Sequence, residues 1–156
     1  MTSIVKQIIN WNKDRDNTEY DPANEYAMLQ EEVTEYAHSY IKTVSEFMGI
    51  DILTHQVETD EESRELNEKI SELIETKEFE AEWKIHQADA LADSIFVAVG
   101  SLYKLTGSMD KTLKILQAVI DANQEKGSEK DENGKIIKPV GFVPPEDRIK
   151  EILNDY

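Results

Sequence analysis

Apolar residues recur every three or four positions along most of the chain, which is the spacing of amphipathic helices. This pattern predicts five helices, at residues 1–13, 24–47, 63–76, 83–105 and 108–125. Gly49 and Gly107 follow the second and fourth of them, and Ser108 or Asp110 would cap the start of the fifth. The sequence shows no internal repeat and no series of alternating strands.

The helical pattern stops after residue 125. Residues 126–145 are rich in glycine, proline and lysine, and they contain at most a short extended segment, at residues 135–143. The sequence therefore predicts an all-α fold, a helical bundle of about five helices followed by an irregular C-terminal loop. One domain over residues 1–156 is expected, with its core at 24–125 and the loop at 126–147.

The composition agrees with a single globular domain. Of the 156 residues, 39% are hydrophobic and 32% are charged, which is too apolar a mixture for a disordered chain. No apolar run approaches the roughly 20 residues that span a bilayer, and the N-terminus does not resemble a signal peptide. We therefore expect a cytoplasmic protein with no membrane association.

Charge and cysteine content exclude several kinds of chemistry. The chain has no cysteine, which rules out disulfides, thiolate metal sites and thiol catalysis and disfavours zinc. Its 33 acidic and 17 basic residues give a net charge of −16, which would repel nucleic acids and anionic lipids. No nucleic-acid partner is expected, and a phosphate ligand would need a divalent cation or a local basic cluster.

Three acids, Glu31, Glu32 and Glu35, lie close together on the second predicted helix. Spacings of one, three and four residues place them within about 100° of arc on one flank of that helix. In a chain this acidic, such a group taken alone is more often a solvated face than a site.

The fourth predicted helix changes this balance. Asp89 and Asp93 occur in its most hydrophobic stretch, and the apolar residues around most of its circumference predict a central, buried helix. A buried carboxylate without a partner costs several kcal/mol. No basic residue lies between Lys84 and Lys104, and none occurs at 31–41, so a cation must come from elsewhere.

A metal ion would supply that cation. Two carboxylates about 4 Å apart repel by roughly 4 kcal/mol at an effective dielectric of 20, so converging acids either raise their pKa values or bind metal. Acids on these two helices can face each other across a bundle. Oxygen ligands without thiolate favour Mg²⁺, or Mn²⁺ as a substitute, and such ions commonly bind substrate phosphates.

These motifs resemble those of the all-α nucleoside triphosphate pyrophosphohydrolases, a superfamily of MazG-like enzymes, dimeric dUTPases and phosphoribosyl-ATP pyrophosphohydrolases. That family has an EExxE motif on one helix and an ExxD motif on the next. Glu31, Glu32 and Glu35 match the first motif, and Asp93 matches the end of the second. Ala90 stands where the glutamate of the second motif would be, and Asp89 is the candidate substitute.

A third segment extends the resemblance to about residues 24–147. The run Asn123-Gln124-Glu125-Lys126, followed by Gly134-Lys135-Ile136-Ile137-Lys138-Pro139, is similar to the asparagine, lysine and GKxxKP loop that follows the last core helix in several members. The chain departs from the family at residues 49–80, which separate the two acidic motifs more widely than usual and predict an added or extended helix.

The resemblance implies a Mg²⁺-dependent hydrolase that cleaves a nucleoside or deoxynucleoside triphosphate between the α and β phosphates, releasing monophosphate and pyrophosphate. The implied metal ligands are Glu32, Glu35, Asp89 and Asp93, and the implied catalytic acids are Glu31, Glu32 and Glu35, with Glu31 as a ligand or water activator. The implied substrate-binding residues are Asn123, Lys126, Lys135 and Lys138, in the loop 126–147. Family members pair through their helices, so a homodimer or homotetramer is expected.

Two alternatives stay open from the sequence. An inactive acidic helical binding protein of the same fold would also account for the charge, and Ala90 leaves room for it. A phosphoribosyl-ATP pyrophosphohydrolase is the other. His86 lies on the acidic flank one turn before Asp89, where a packed histidine is commoner than a functional one, and Asn12 is a weaker candidate for contact with a sugar or base.

Overall fold

The computed structural model describes residues 3–155, and this part of the chain forms six α-helices. They are α1 (Ile4–Lys13), α2 (Pro22–Met48), α3 (Asp60–Ile74), α4 (Lys77–Thr106), α5 (Met109–Gln124) and α6 (Glu146–Asn154). Within the same residues, β-type pairing is limited to an isolated bridge between Lys130 and Ile136. The predicted all-α class is confirmed.

Local capping explains where the helices begin and end. The side chain of Asp21 accepts hydrogen bonds from the backbone N–H groups of Ala23 and Asn24 at the start of α2. At the other end Gly49 adopts a left-handed conformation, with φ 68°, which glycine tolerates without a steric penalty. Ser108 caps α5, as one of the two predicted alternatives.

Helices α2, α3 and α4 begin two, three and six residues before their predicted starts, and the structure adds a sixth helix. Helix α3 begins three residues before the predicted start because Thr59 and Glu62 form a reciprocal capping box. Helix α6 was missed by the sequence analysis. It has only 9 residues and follows two prolines, so its apolar pattern is too short to distinguish from a loop.

The chain divides into two compact units, which we name the terminal unit (residues 1–20 and 99–156) and the central unit (residues 21–98). In the terminal unit α5 packs against α1 and α6. Its buried side chains include Ile8, Ile9, Tyr103, Ile115 and Ala118. None of the helices in residues 3–155 has both the length and the hydropathy to span a lipid bilayer.

Asn12 is part of the packing of the terminal unit. Its side chain is only 2% exposed. It donates to the carbonyl of Ile8 at 3.0 Å and accepts a hydrogen bond from Asn17 at 2.9 Å. A Cβ on Gly100 would lie 3.1 Å from its amide nitrogen, so the helix backbone approaches it closely. These partners contradict a role for Asn12 in binding a sugar or base.

In the central unit, side chains of α2 contact side chains of the first part of α4. Aromatic side chains join them at one end, where the rings of Phe47 and Phe79 are 6.2 Å apart. About one helical turn after Phe79, the indole N–H of Trp83 donates to the hydroxyl of Ser39 at 3.2 Å. Phe79 is 2% exposed and is the largest fully buried side chain of this contact.

The prediction that the fourth helix is buried on most sides is wrong for the single chain. Ile85 is 59% exposed, Leu91 48% and Ile95 59%. Asp89 and Asp93 are also exposed, so the cost of burying them does not arise. Hydrophobic periodicity identifies apolar faces, but it does not say what covers them.

Candidate functional site

The acids predicted from the two motifs come together in the central unit. Glu31, Glu32 and Glu35 lie on α2 and Asp89 and Asp93 on α4. The pKa of Glu32 is raised above its usual value, first by burial of the carboxyl. The other causes are the negative charges of the same four neighbours, in decreasing order Asp93, Glu35, Glu31 and Asp89. We name these five residues the acidic cluster.

Glu32 is the member of the acidic cluster on which the charges of the other four act. Its side chain is half-buried, whereas the other four acids are exposed. Within residues 3–155, no member of the cluster forms an ion pair with a lysine, arginine or histidine. No ion pair with a basic side chain of these described residues therefore offsets the electrostatic repulsion around Glu32.

The acidic cluster does not form a tight ligand set in this structure. In the described residues, the one group of three or more His, Asp or Glu side chains with ligand atoms within 4.8 Å of one another is Glu46, Glu82 and His86. No three carboxylates of the acidic cluster, all within the described residues, therefore lie close enough together to meet that distance. The predicted ligands thus share one electrostatic neighbourhood without converging on a single point.

The Glu46–Glu82–His86 group lies on the same two helices. The Nε2 atom of His86 is 2.8 Å from Oε2 of Glu46 and 3.9 Å from Oε1 of Glu82. Two carboxylates and an imidazole could hold a metal ion, and a hydrogen bond between His86 and Glu46 also accounts for the geometry. Sequence analysis missed Glu46, although it follows Glu35 by 11 residues, about three helical turns on the same face.

A pocket of about 320 Å³ adjoins the acidic cluster. It is lined by Thr34, Glu35, His38 and Lys42 of α2 and by His86 and Asp89 of α4. Glu35 and Asp89 therefore belong to both the pocket and the cluster. The pocket places two carboxylates of the predicted metal site beside a lysine and two histidines.

The predicted substrate-binding residues lie in the terminal unit. The ammonium of Lys126 donates to Oδ1 of Asn123 at 2.7 Å. The Nζ atoms of Lys126 and Lys138 lie 5.5 and 5.2 Å from the ring centroid of Phe142, so the two lysines meet on one aromatic ring. This is more packing than the glycine and proline content of the loop predicts.

Lys135 occupies a separate position in the loop. Its backbone N–H donates to Oδ1 of Asp131 at 2.9 Å, within a turn that contains Gly134 at φ 78°. Its side chain is exposed. The loop thus holds Lys126 and Lys138 together and presents Lys135 alone.

No protein-family model, curated protein or solved structure matches this chain. The resemblance drawn from the acidic motifs and the lysine loop therefore stays a prediction.

Proposed function

We propose that this protein is a Mg²⁺-dependent nucleoside triphosphate pyrophosphohydrolase of the all-α superfamily. The observation that carries the proposal is the meeting of five carboxylates from α2 and α4 around Glu32, where the other four act together with burial to raise its pKa. Sequence motifs selected the same five acids. A cluster of like charges without a basic partner destabilises the fold, and such arrangements are typical of functional sites.

The donor set fits Mg²⁺. All the candidate ligand atoms of Glu32, Glu35, Asp89 and Asp93 are carboxylate oxygens, which Mg²⁺ and Mn²⁺ prefer. The acidic cluster also has an excess of negative charge, which raises the pKa of Glu32 and which a divalent cation would neutralise. When bound there, Mg²⁺ would lower the pKa of water and offset the charge of a triphosphate.

The chain's own groups have distinct tasks in the proposed reaction. Water attacks the α phosphorus, the bond from that phosphorus to the α–β bridging oxygen breaks, and pyrophosphate leaves with its electron pair. Glu31 is a ligand or the carboxylate that accepts the proton of the attacking water. The lysines at 126, 135 and 138 supply positive charge to the departing phosphates, as the family resemblance implies.

The test is a Mg²⁺ titration with a panel of nucleoside and deoxynucleoside triphosphates that includes phosphoribosyl-ATP. We expect pyrophosphate and monophosphate in equal amounts from at least one compound, and none in EDTA. Glu32→Gln should abolish product formation. Glu68→Gln, a change of the same chemistry at an exposed position on α3, should not.

Absence of products from the whole panel would overturn the proposal. If Mg²⁺ nevertheless raised the melting temperature of the wild type and not of Glu32→Gln, the protein would be an inactive acidic relative that keeps the metal site. Turnover of phosphoribosyl-ATP alone would identify the other alternative.

We also propose that the protein is a homo-oligomer. Exposed apolar side chains follow one another along α2 and α4 of the central unit, among them Tyr26 at 68%, Val33 at 54% and Ile85 at 59%. Large exposed apolar rows mark contact surfaces. Sedimentation equilibrium at micromolar concentration should give a dimer or tetramer, and a monomer there would contradict this proposal.

A further inference from the structure

The pocket beside the acidic cluster contains an unusual lysine. Lys42 is the only lysine or arginine among the 27 residues of α2. The position of this lysine indicates a function, because helix α2 is otherwise acidic on this flank, where Glu31, Glu32 and Glu35 lie. Lys42 lies in the wall of the pocket. Two members of the acidic cluster, Glu35 and Asp89, line the same pocket, so positive and negative side chains border one space.

The structure leaves the charge of Lys42 available to a ligand. Its natural partner on the same helix is Glu46, one turn further on. Glu46 instead lies 2.8 Å from the imidazole of His86. Within the part of the chain that the structure describes, Lys42 takes part in no ion pair with Asp or Glu.

The mixture of charges in the pocket selects one class of ligand. A free anion would be attracted by Lys42 but repelled by Glu35 and Asp89. A free cation would be attracted by Glu35 and Asp89 but repelled by Lys42. An anion that carries its own divalent cation satisfies both sets, because the metal contacts the carboxylates while the anion contacts the ammonium.

We infer that this pocket binds magnesium pyrophosphate, as the β and γ phosphates of the substrate and then as the leaving group, with Lys42 contacting the phosphate oxygens. This inference rests on the proposed function, which supplies the reaction but does not assign Lys42 a role. His38 and His86 complete the polar wall around the phosphates. The volume of about 320 Å³ is enough for a metal-bound diphosphate and water.

The test measures binding of pyrophosphate in the presence of Mg²⁺ by isothermal titration calorimetry with the full chain. Lys42→Met keeps the length of the side chain and removes its charge. We expect it to weaken binding by about tenfold or more, the usual effect of losing one charge-assisted hydrogen bond. Lys42→Arg should restore most of the affinity.

Lys84→Met is the matched control. Lys84 is an exposed lysine on α4 that pairs with Glu80 on the same helix and lowers the pKa of that carboxyl. Its replacement should leave pyrophosphate affinity within about twofold of the wild type, since exposed helix pairs contribute little. Thermal melts of the three variants check that each remains folded.

The outcomes separate this inference from the proposed function. Pyrophosphate affinity within about twofold of wild type in Lys42→Met overturns the inference, even if the wild type hydrolyses triphosphates. A selective change in preference among bases, with pyrophosphate affinity unchanged, would overturn it too and mark the pocket as a base site. Lys42-dependent binding of magnesium pyrophosphate without any hydrolysis would support the pocket and contradict the enzyme.

Discussion

The two ends of the α2–α4 pair contrast sharply. At one end, which we name the aromatic end, Tyr40, Phe47, Phe79 and Trp83 pack together, with the rings of Tyr40 and Phe79 edge to face at 5.3 Å. Polar groups there have partners, such as Ser39 with the indole of Trp83. At the other end the five acids of the acidic cluster repel one another, and the pKa of Glu32 is raised.

This difference separates an end that stabilises the helix pair from the end to which the proposed function belongs. The aromatic end buries apolar surface and joins α2 to α4. The acidic end opposes that association, since like charges from both helices meet there. Natural sequences retain such local conflicts mainly at functional sites. Changes at the aromatic end should therefore alter folding, and changes at the acidic end should alter metal binding and catalysis.

The largest expected effect is on the stability of the aromatic end. Phe79→Ala should lower the free energy of unfolding by about 3 to 5 kcal/mol, the range for large-to-small changes at buried aromatic positions. Chemical denaturation monitored by circular dichroism measures this loss. Leu105→Ala, at a half-exposed position on the same helix, is the control and should cost much less. Equal losses would remove the contrast between packed and open faces of α4.

Asp93→Asn should separate function from stability at the acidic end. Asp93 is the strongest charged contributor to the raised pKa of Glu32. Neutralising it should lower turnover by at least about 100-fold and remove stabilisation by Mg²⁺. The protein in EDTA should stay as stable as wild type or become slightly more stable, because one repelling charge is gone. Thermal melts of both proteins, each in EDTA and in Mg²⁺, together with a pyrophosphate assay, measure all three quantities.

The opposite sign would identify a structural carboxylate. If Asp93 paired with a lysine or arginine, its neutralisation would leave that cation without a partner and lower stability in EDTA. A weakened protein in EDTA that kept its hydrolysis in Mg²⁺ would contradict the assignment of Asp93 as a ligand.

A smaller effect is expected from the lysines of the terminal unit. The proposed function predicts that Lys126→Ala and Lys138→Ala each raise KM for the triphosphate by about three- to tenfold, the effect of losing one point charge on a phosphate ligand. Melting temperatures should change little, because cation–π contacts with Phe142 contribute only about 0.5 to 1 kcal/mol at exposed sites. A large fall in melting temperature with an unchanged KM would make these lysines supports of the loop.

The sequence was sufficient for five of the six helices and for the membership of the acidic cluster. Apolar periodicity and capping residues are local signals, so α2 and α5 were predicted close to their observed bounds, whereas α4 begins six residues before its predicted start. The acids Glu32 and Asp93 were paired across two helices because both lie on the flanks of long, regular patterns. In a regular helix, the angular position of each residue around the axis follows from its number over many turns.

Burial and fine geometry were not predictable in the same way. The exposure of Asp89 and of Ile95 depends on what lies against α4, which the residues of α4 do not encode. The contact between Glu46 and His86 depends on the relative register of α2 and α4, which a single-helix pattern leaves open. Lys42 was overlooked because a lone lysine on an amphipathic helix is unremarkable until its pocket is known.

The smallest expected effect is a change in the pH dependence of stability at Glu32. Its folded-state pKa is raised above the usual 4.5, so the folded protein binds this proton more readily than the unfolded chain. The stability that this carboxyl contributes is therefore greatest at low pH. It declines as pH rises through 4.5 and then through the raised folded-state pKa. Glu32→Gln has no such titration.

At neutral pH in EDTA, Glu32→Gln should therefore melt slightly above wild type, by about 2 °C, the scale of a change below 1 kcal/mol in a chain of this size. The gap should close as pH falls below 4.5, because the wild-type carboxyl is then protonated in both states. Thermal melts of the two proteins across this pH range measure the gap, and Glu68→Gln controls for general loss of acidity. A mutant less stable than wild type at neutral pH would show that Glu32 is held by a cation rather than repelled by its neighbours, and the contrast between the two ends of the helix pair would fail.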